Sequence, residues 1–290
     1  MASAPTRIDA DKQTIVRDLF IATADDNYIT ARWCHQHGLN IDFFWLAVHA
    51  LEKYMKAALL LNGRSAIDYK SGSCKPKPFG HDLEALYAEL GSMASGLLPD
   101  RFARPDIIDG GGWIDETIAE YMARLLAKGN ADNRYMVFGY AFLPDQLAKL
   151  DQAIFSLRRL CHPLDTCMLG GTRPEVVSRR DLLARDSKWH DSHPGLPLET
   201  TMSGKRGAEL RRVVLNFNFP FAPANYQHDA TITLRSASHE PVLLRTIIEP
   251  LDTSGAPVER RQRAQELRKW ALGNIKLPKD VQARLKALPP

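Results

Sequence analysis

Residues 41–62 read IDFFWLAVHALEKYMKAALLLN, with neither proline nor glycine. Phe44, Val48, Leu51, Met55 and Ala58 recur at steps of four and three, the spacing of one helical face. Phe43, Ala47, Ala50, Tyr54, Ala57 and Leu61 widen that stripe until most of the circumference is apolar. So apolar a helix is predicted to lie at the centre of a bundle. His49, Glu52, Lys53 and Lys56 share the narrow face that remains, and Gly63 ends the helix.

The same periodicity predicts its neighbours. Residues 12–38 form a first helix with Ile15, Leu19, Ala22, Asp26, Ile29 and Trp33 along one face. The connection to the central helix is so short that the two must be antiparallel. Residues 81–93 form a third helix with Leu83, Leu86, Tyr87 and Leu90 inward. Residues 115–127 form a fourth, on Ile118, Tyr121, Met122 and Leu125, and residues 144–161 a fifth, on Leu147, Leu150, Ile154, Leu157 and Leu160. After Leu164 the periodicity fades and Gly and Pro punctuate the chain. Residues 209–221 and 231–248 read as β-like runs, and 258–272 and 278–288 as helices. The expected fold class is mainly α: an up-and-down helical bundle over 1–164, then a small α+β region over 165–290.

Composition adds limits. A hydrophobic share of 44% and a charged share of 25% are ordinary for a soluble globular chain. No apolar run is long enough for a membrane span, and the first residues lack the apolar core of a secretory signal. The four cysteines, Cys34, Cys74, Cys161 and Cys167, form no CxxC pair, as expected of free thiols in a reducing cytoplasm. Charge is uneven: net −3 over residues 1–150 and +7 over 151–290. A basic half suits nucleic acid, and equally an ordinary solvated surface.

Two motifs carry a family resemblance. Residues 50–59 read A-L-E-K-Y-M-K-A-A-L, and Gly80-His81-Asp82-Leu83 opens the third helix. With five helices in this order, the first half of the chain resembles the HEPN family. The resemblance implies an all-helical, often dimeric domain that cleaves RNA or serves as a binding module. It further implies a place in a prokaryotic defence or toxin–antitoxin system. Active members carry R-x4-6-H near the start of a late helix; here Arg134-Tyr135 stands in that region and no His follows within the spacing.

Several clusters could bear chemistry, each with a plainer reading beside it. Arg32 and His37 have R-x4-H spacing, as do Arg185 and His190. An Arg steadies phosphate charge and a His moves the proton of a ribose hydroxyl; a basic helix end and a solvated loop are the alternatives. Cys34, His35, His37, Cys161, His162 and Cys167 are zinc-type ligands without a familiar spacing, so no metal is expected. His49, Glu52, Lys53, Lys56 and His81, with Arg134 and Tyr135, could bind nucleic acid or a nucleotide, or simply form a solvated face. Arg261 and Arg268, one face of a basic helix, offer phosphate contacts or an ordinary surface. The function expected is a binding module for RNA or a nucleotide, homodimeric, with no cofactor, no membrane and no well-placed catalytic pair. The alternatives are a metal-independent RNA endonuclease and a scaffold that docks a partner protein.

Overall fold

The computed structural model describes residues 7–69, 76–131, 133, 136–168, 177–185, 208–223, 225–229, 237–274 and 277–289, and these are mainly helical. Helix α1 (Arg7–Val16) runs through a π-helical stretch, Arg17–Ile21, directly into α2 (Ala22–Gln36). Gly38, at φ 75°, reverses the chain, and α3 (Asn40–Leu61) returns antiparallel to α2. A left-handed residue there needs glycine, because a Cβ would strain the backbone. Helix α3 packs against α2, α4 (Leu83–Met93), α5 (Ile118–Gly129) and α6 (Asp145–Arg158). Its predicted stripe, Phe44, Val48, Leu51, Met55 and Ala58, is buried, as are Phe43, Ala47, Tyr54 and Ala57. Each large apolar side chain so buried contributes about 1.5–3 kcal/mol.

Helix α5 starts at a capping box. The Thr117 hydroxyl accepts from the Glu120 N–H, and the Glu120 carboxylate accepts from the Thr117 N–H. It ends on Gly129, where a Cβ would lie 2.4 Å from the Phe44 carbonyl and 2.6 Å from Val48. Only glycine lets α5 approach α3 so closely.

Helix α2 departs from the expected face. Ile15, Leu19 and Trp33 are exposed, at 56%, 63% and 39%, while Asp25, Tyr28, Arg32 and His35 are buried. For the first three the reason is pairing. Arg32 donates to the Asp151 carboxylate and to the carbonyls of Val213 and Asn216, and the Tyr28 hydroxyl donates to Asp151 at 2.6 Å. Asp25 accepts from the Tyr54 hydroxyl and from Arg158. A polar inward face is stable once every charge has a partner, and hydrophobic periodicity does not register it.

The two stretches read as β-like are helical over part of their length, while Ala237–His239 within the second is a strand. Residues Ala208–Leu215 form α8, following α7 (Arg179–Arg185). Leu210, Val213 and Val214 follow helical spacing, and the alternating Phe217, Phe219 and Phe221 belong to the turn after it. Likewise Leu244–Ile248 is π-helical and leads into α9 (Glu249–Asp252). Leu244, Ile247, Ile248 and Leu251 keep the helical i, i+3, i+4, i+7 spacing, which outweighs the β preference of the two isoleucines. Residues 231–236 and 186–207 lie outside the described residues.

The strands are short. Strand β1 (Asp68–Tyr69) pairs antiparallel with β2 (Lys77–Pro78). Strand β3 (Tyr140–Phe142) lies just before α6, and β4 (Cys167–Met168) pairs with β5 (Val177–Ser178). Strand β6 (Ala237–His239) pairs with β3, with Ala141 opposite Ser238. Leu183, Val213, Val214, Leu215 and Phe221 join the core built on α3. A second core holds Ile247, Ile248, Leu251, Ala264 and Ala271, with Leu277 and Leu285, and gathers α9, α10 (Val258–Asn274) and α11 (Lys279–Ala287).

His35 sits in the main core between the rings of Phe43 and Phe142, at 5.6 and 4.9 Å. Among the described residues neither ring nitrogen has a hydrogen-bond partner. Burial, reinforced by the charge of Arg32, pushes its pKa down to about 3. The unfolded chain therefore binds a proton below pH 6.5 that the folded chain refuses until about pH 3. Stability is lost as pH falls through that window, by up to about 1.4 kcal/mol per unit. His35→Leu removes an unpartnered polar group, so it is expected to be at least as stable at pH 7 and to show a shallower acid limb in urea titrations. Identical pH slopes for the two proteins would refute this.

Candidate functional site

Besides Ile41, Leu46, Leu60 and Leu61, which are partly buried, helix α3 leaves uncovered a strip of Asp42, Trp45, His49, Lys53 and Lys56, with Glu52 beneath it. These residues fall within about a quarter turn of one another on a 3.6-residue helix. The strip meets the Gly80-His81-Asp82-Leu83 turn, and each residue of that turn has a separate task. Gly80, at φ 54°, bends the chain, and its carbonyl accepts from Lys56 Nζ at 3.1 Å. His81 Nδ1 lies 2.9 Å from Glu52 Oε2. The Asp82 carboxylate caps α4, accepting from the Ala85 N–H at 3.0 Å. Leu83 is fully buried in the core. The β1–β2 pair and the stacked rings of Tyr69 and Phe79, 4.9 Å apart, brace the approach to the turn.

Glu52 is the hub. Lys56 Nζ donates to its Oε1 at 2.7 Å, His81 holds its Oε2, and His49 Nδ1 stands 3.9 Å away. Burial alone would raise the Glu52 pKa, but the hydrogen bonds from Lys56 and His81 outweigh it and hold the pKa below the ordinary value. A carboxylate accepts only, so His81 donates from Nδ1. Its Nε2 is then the ring's remaining functional atom, on a side chain 76% exposed. Burial lowers the His49 pKa, with Lys53 and His81 adding to the effect and Glu52 opposing it. The ring of His49 meets Trp45 edge-on at 4.4 Å. Beyond Trp45 a hollow of about 310 Å³ is lined by Ile41, Asp42, Lys128, Gly129 and Asn130.

Of the residues singled out by sequence, the structure brings His49, Glu52, Lys53, Lys56 and His81 onto this one surface. Arg134 and Tyr135 lie outside the described residues, but the segment leading to them is clamped. Buried Asn133 donates to the carbonyls of Lys128 and Gly139 and accepts from the Phe138 N–H. Trp45, Lys128 and Asn130 escape the sequence reading. Trp45 is visible in principle, because it stands one helical turn before His49.

The other candidates are dispersed. Arg32 has no exposed surface and its guanidinium is committed to Asp151 and two carbonyls. His37 is exposed, stacked on Trp33 at 4.1 Å with Nδ1 against the Trp33 carbonyl. Arg32 and His37 therefore do not face a common phosphate. Arg185 is exposed at the end of α7, and His190 lies outside the described residues. Arg268 donates to the carbonyls of Leu288 and Pro289, tying α10 to the end of α11, while Arg261 is half-exposed. Burial pushes the thiol of Cys34 up to about 11 and that of Cys161 to about 12, so both stay protonated near neutrality. Among the described residues no three His, Cys, Asp or Glu side chains come close enough to hold a metal ion. No helix there is long and apolar enough to cross a membrane.

No family model, curated protein or solved structure matches the chain.

The Glu52–His81 contact predicts the imidazole's proton distribution. Nitrogen NMR of the intact chain near neutral pH should find neutral His81 protonated on Nδ1. In Glu52→Ala that preference should vanish, with Nε2–H becoming the main neutral form, as in a free imidazole. The same tautomer in both proteins would mean that Glu52 does not orient the ring.

Proposed function

We propose that this chain is an HEPN-like module that binds single-stranded RNA, or a nucleotide of the same phosphate chemistry, along the α3 strip. The observation that carries this reading is the meeting of the E-K-x-x-K helix and the Gly-His-Asp-Leu turn around Glu52. Two motifs 24 residues or more apart in the chain are locked around the Glu52 carboxylate into one surface of lysines, imidazoles and one indole, with Asp42 at its end. Lys53 and Lys56 supply charge for phosphates, and Trp45 offers a face for a base. The resemblance adds a homodimer working in a cytoplasmic defence or toxin–antitoxin setting. Buried Arg32 supports binding over cleavage, since it removes one of the Arg–His pairs on which cleavage would rest.

A second reading has its own support. His81 held at Nδ1 by a carboxylate presents Nε2 to solvent, an arrangement suited to moving the proton of a 2′-hydroxyl. The scaffold reading, in which the bundle docks a partner protein, stands behind both.

Fluorescence anisotropy with a labelled single-stranded RNA separates the three. Binding should weaken linearly in log–log plots as salt rises, and Lys53→Gln should lower that slope by about one. The RNA should stay intact on a gel. EDTA-resistant cleavage that disappears in His81→Ala, with binding retained, would replace the binding reading with the nuclease. No binding and no cleavage at low salt would defeat both nucleic-acid readings and leave the scaffold.

A further inference from the structure

A cleft of about 1060 Å³ opens between residues 96–107, one side of α6 and the turn after α8. It shares no residue with the α3 strip. Its first wall is not a loose loop. The Gln152 side-chain amide makes two hydrogen bonds to Ala103, accepting from its N–H at 2.8 Å and donating to its carbonyl at 2.7 Å. Arg159 donates to the Leu97 carbonyl on the same segment. Such a clamp keeps the cleft open at the cost of leaving apolar surface wet: Ile107 is 52% exposed and Phe219, on the opposite wall, 44%.

The opposite wall is held in an unusual backbone state. Phe217 has φ 53°, a left-handed conformation in which a Cβ crowds the following carbonyl and which a non-glycine residue rarely adopts. Its N–H donates to His228 Nδ1 at 3.0 Å, and the two rings stack at 5.3 Å, only 11° from parallel. Phe219 and Tyr226 meet the same imidazole at 5.4 and 5.2 Å. With Nδ1 accepting, the neutral ring of His228 carries its hydrogen on Nε2. Burial, with Arg32 second, lowers its pKa and favours that neutral form. Strain of this kind persists where the surroundings over-determine it, and such places cluster at ligand sites.

Charge around the cleft is lopsided. Arg101, Arg104 and Arg159 line it against Asp106 and Asp151; the Asp151 carboxylate is already matched by Arg32 and Tyr28, and Arg101 is paired with Asp115 at 2.7 Å. An apolar cleft of this size with a few convergent polar groups is the usual form of a small-molecule site. We propose that it binds a small planar aromatic anion, its ring on the Phe217–Phe219–His228 wall and its charge toward Arg104. This proposal does not rest on the RNA reading.

The probe is 1-anilinonaphthalene-8-sulfonate, titrated into the full-length chain by fluorescence, with the uncharged N-phenyl-1-naphthylamine beside it. Saturable binding of one sulfonate per chain is expected, with the uncharged amine weaker. Arg104→Ala and Phe219→Ala alter exposed side chains, so both should keep the parent melting temperature while weakening the sulfonate by about threefold to tenfold. Arg104→Ala should leave the uncharged amine unchanged, which separates lost charge from a loosened fold. Non-saturable uptake, equal affinity for the two probes, or unchanged sulfonate affinity in both variants would overturn the proposal.

Discussion

The Arg32 guanidinium fixes the relation between the helical bundle and the C-terminal segment that packs on it. It reaches from α2 to Asp151 on α6 and to two carbonyls at the end of α8, 181 and 184 residues away in sequence. Around it Tyr28 donates to Asp151 and Asn218 donates to the Tyr28 hydroxyl at 3.0 Å. A charge with no exposed surface is stable only when fully paired, and deleting one partner of such a pair costs about 3–5 kcal/mol. The network therefore selects one register of α2 against α6 and one seat for α8. The apolar faces alone, which slide more easily, would not define these.

With α2 fixed inward by its polar residues, α3 is enclosed. Gly129 draws α5 against it and Leu83 anchors α4 beside it. Enclosure on all other sides concentrates the functional groups of α3 into one strip and half-buries them. Glu52 is then forced to find partners, and it finds them in Lys56 one turn along and in His81 across the turn. The chemistry of the strip comes from the packing: a buried carboxylate orders the cations and the imidazole that solvent, or a phosphate, would meet.

Legibility in the sequence differs by element. Helices α3 to α6 are readable because their inward residues are apolar at helical spacing, and the apolar stripe of α3 marks out its own polar remainder. The face of α2 is not, because Asp25, Tyr28 and Arg32 point inward to partners on α3, α6 and the end of α8, a pattern that depends on residues up to 184 positions away. The α8 region misleads because Phe217, Phe219 and Phe221 alternate as a strand would, while Asn216 and Asn218 hold a turn through their side chains. At the candidate site, His49, Glu52, Lys53, Lys56 and His81 are legible as types on a face. That Glu52 holds His81, and that Trp45 and Lys128 extend the surface, depends on the close approach at Gly129 and the left-handed Gly80. Both are tertiary facts.

Cross-linking tests the central claim, that the α3 strip is the RNA-facing surface, most directly. Single-stranded RNA carrying 4-thiouridine would be irradiated with the full-length protein and the attached peptides identified by mass spectrometry. The account places adducts on the segment from Trp45 to Lys56 and on the His81 turn. Adducts confined to the basic helix of Arg261 and Arg268, with the α3 strip unlabelled, would contradict it.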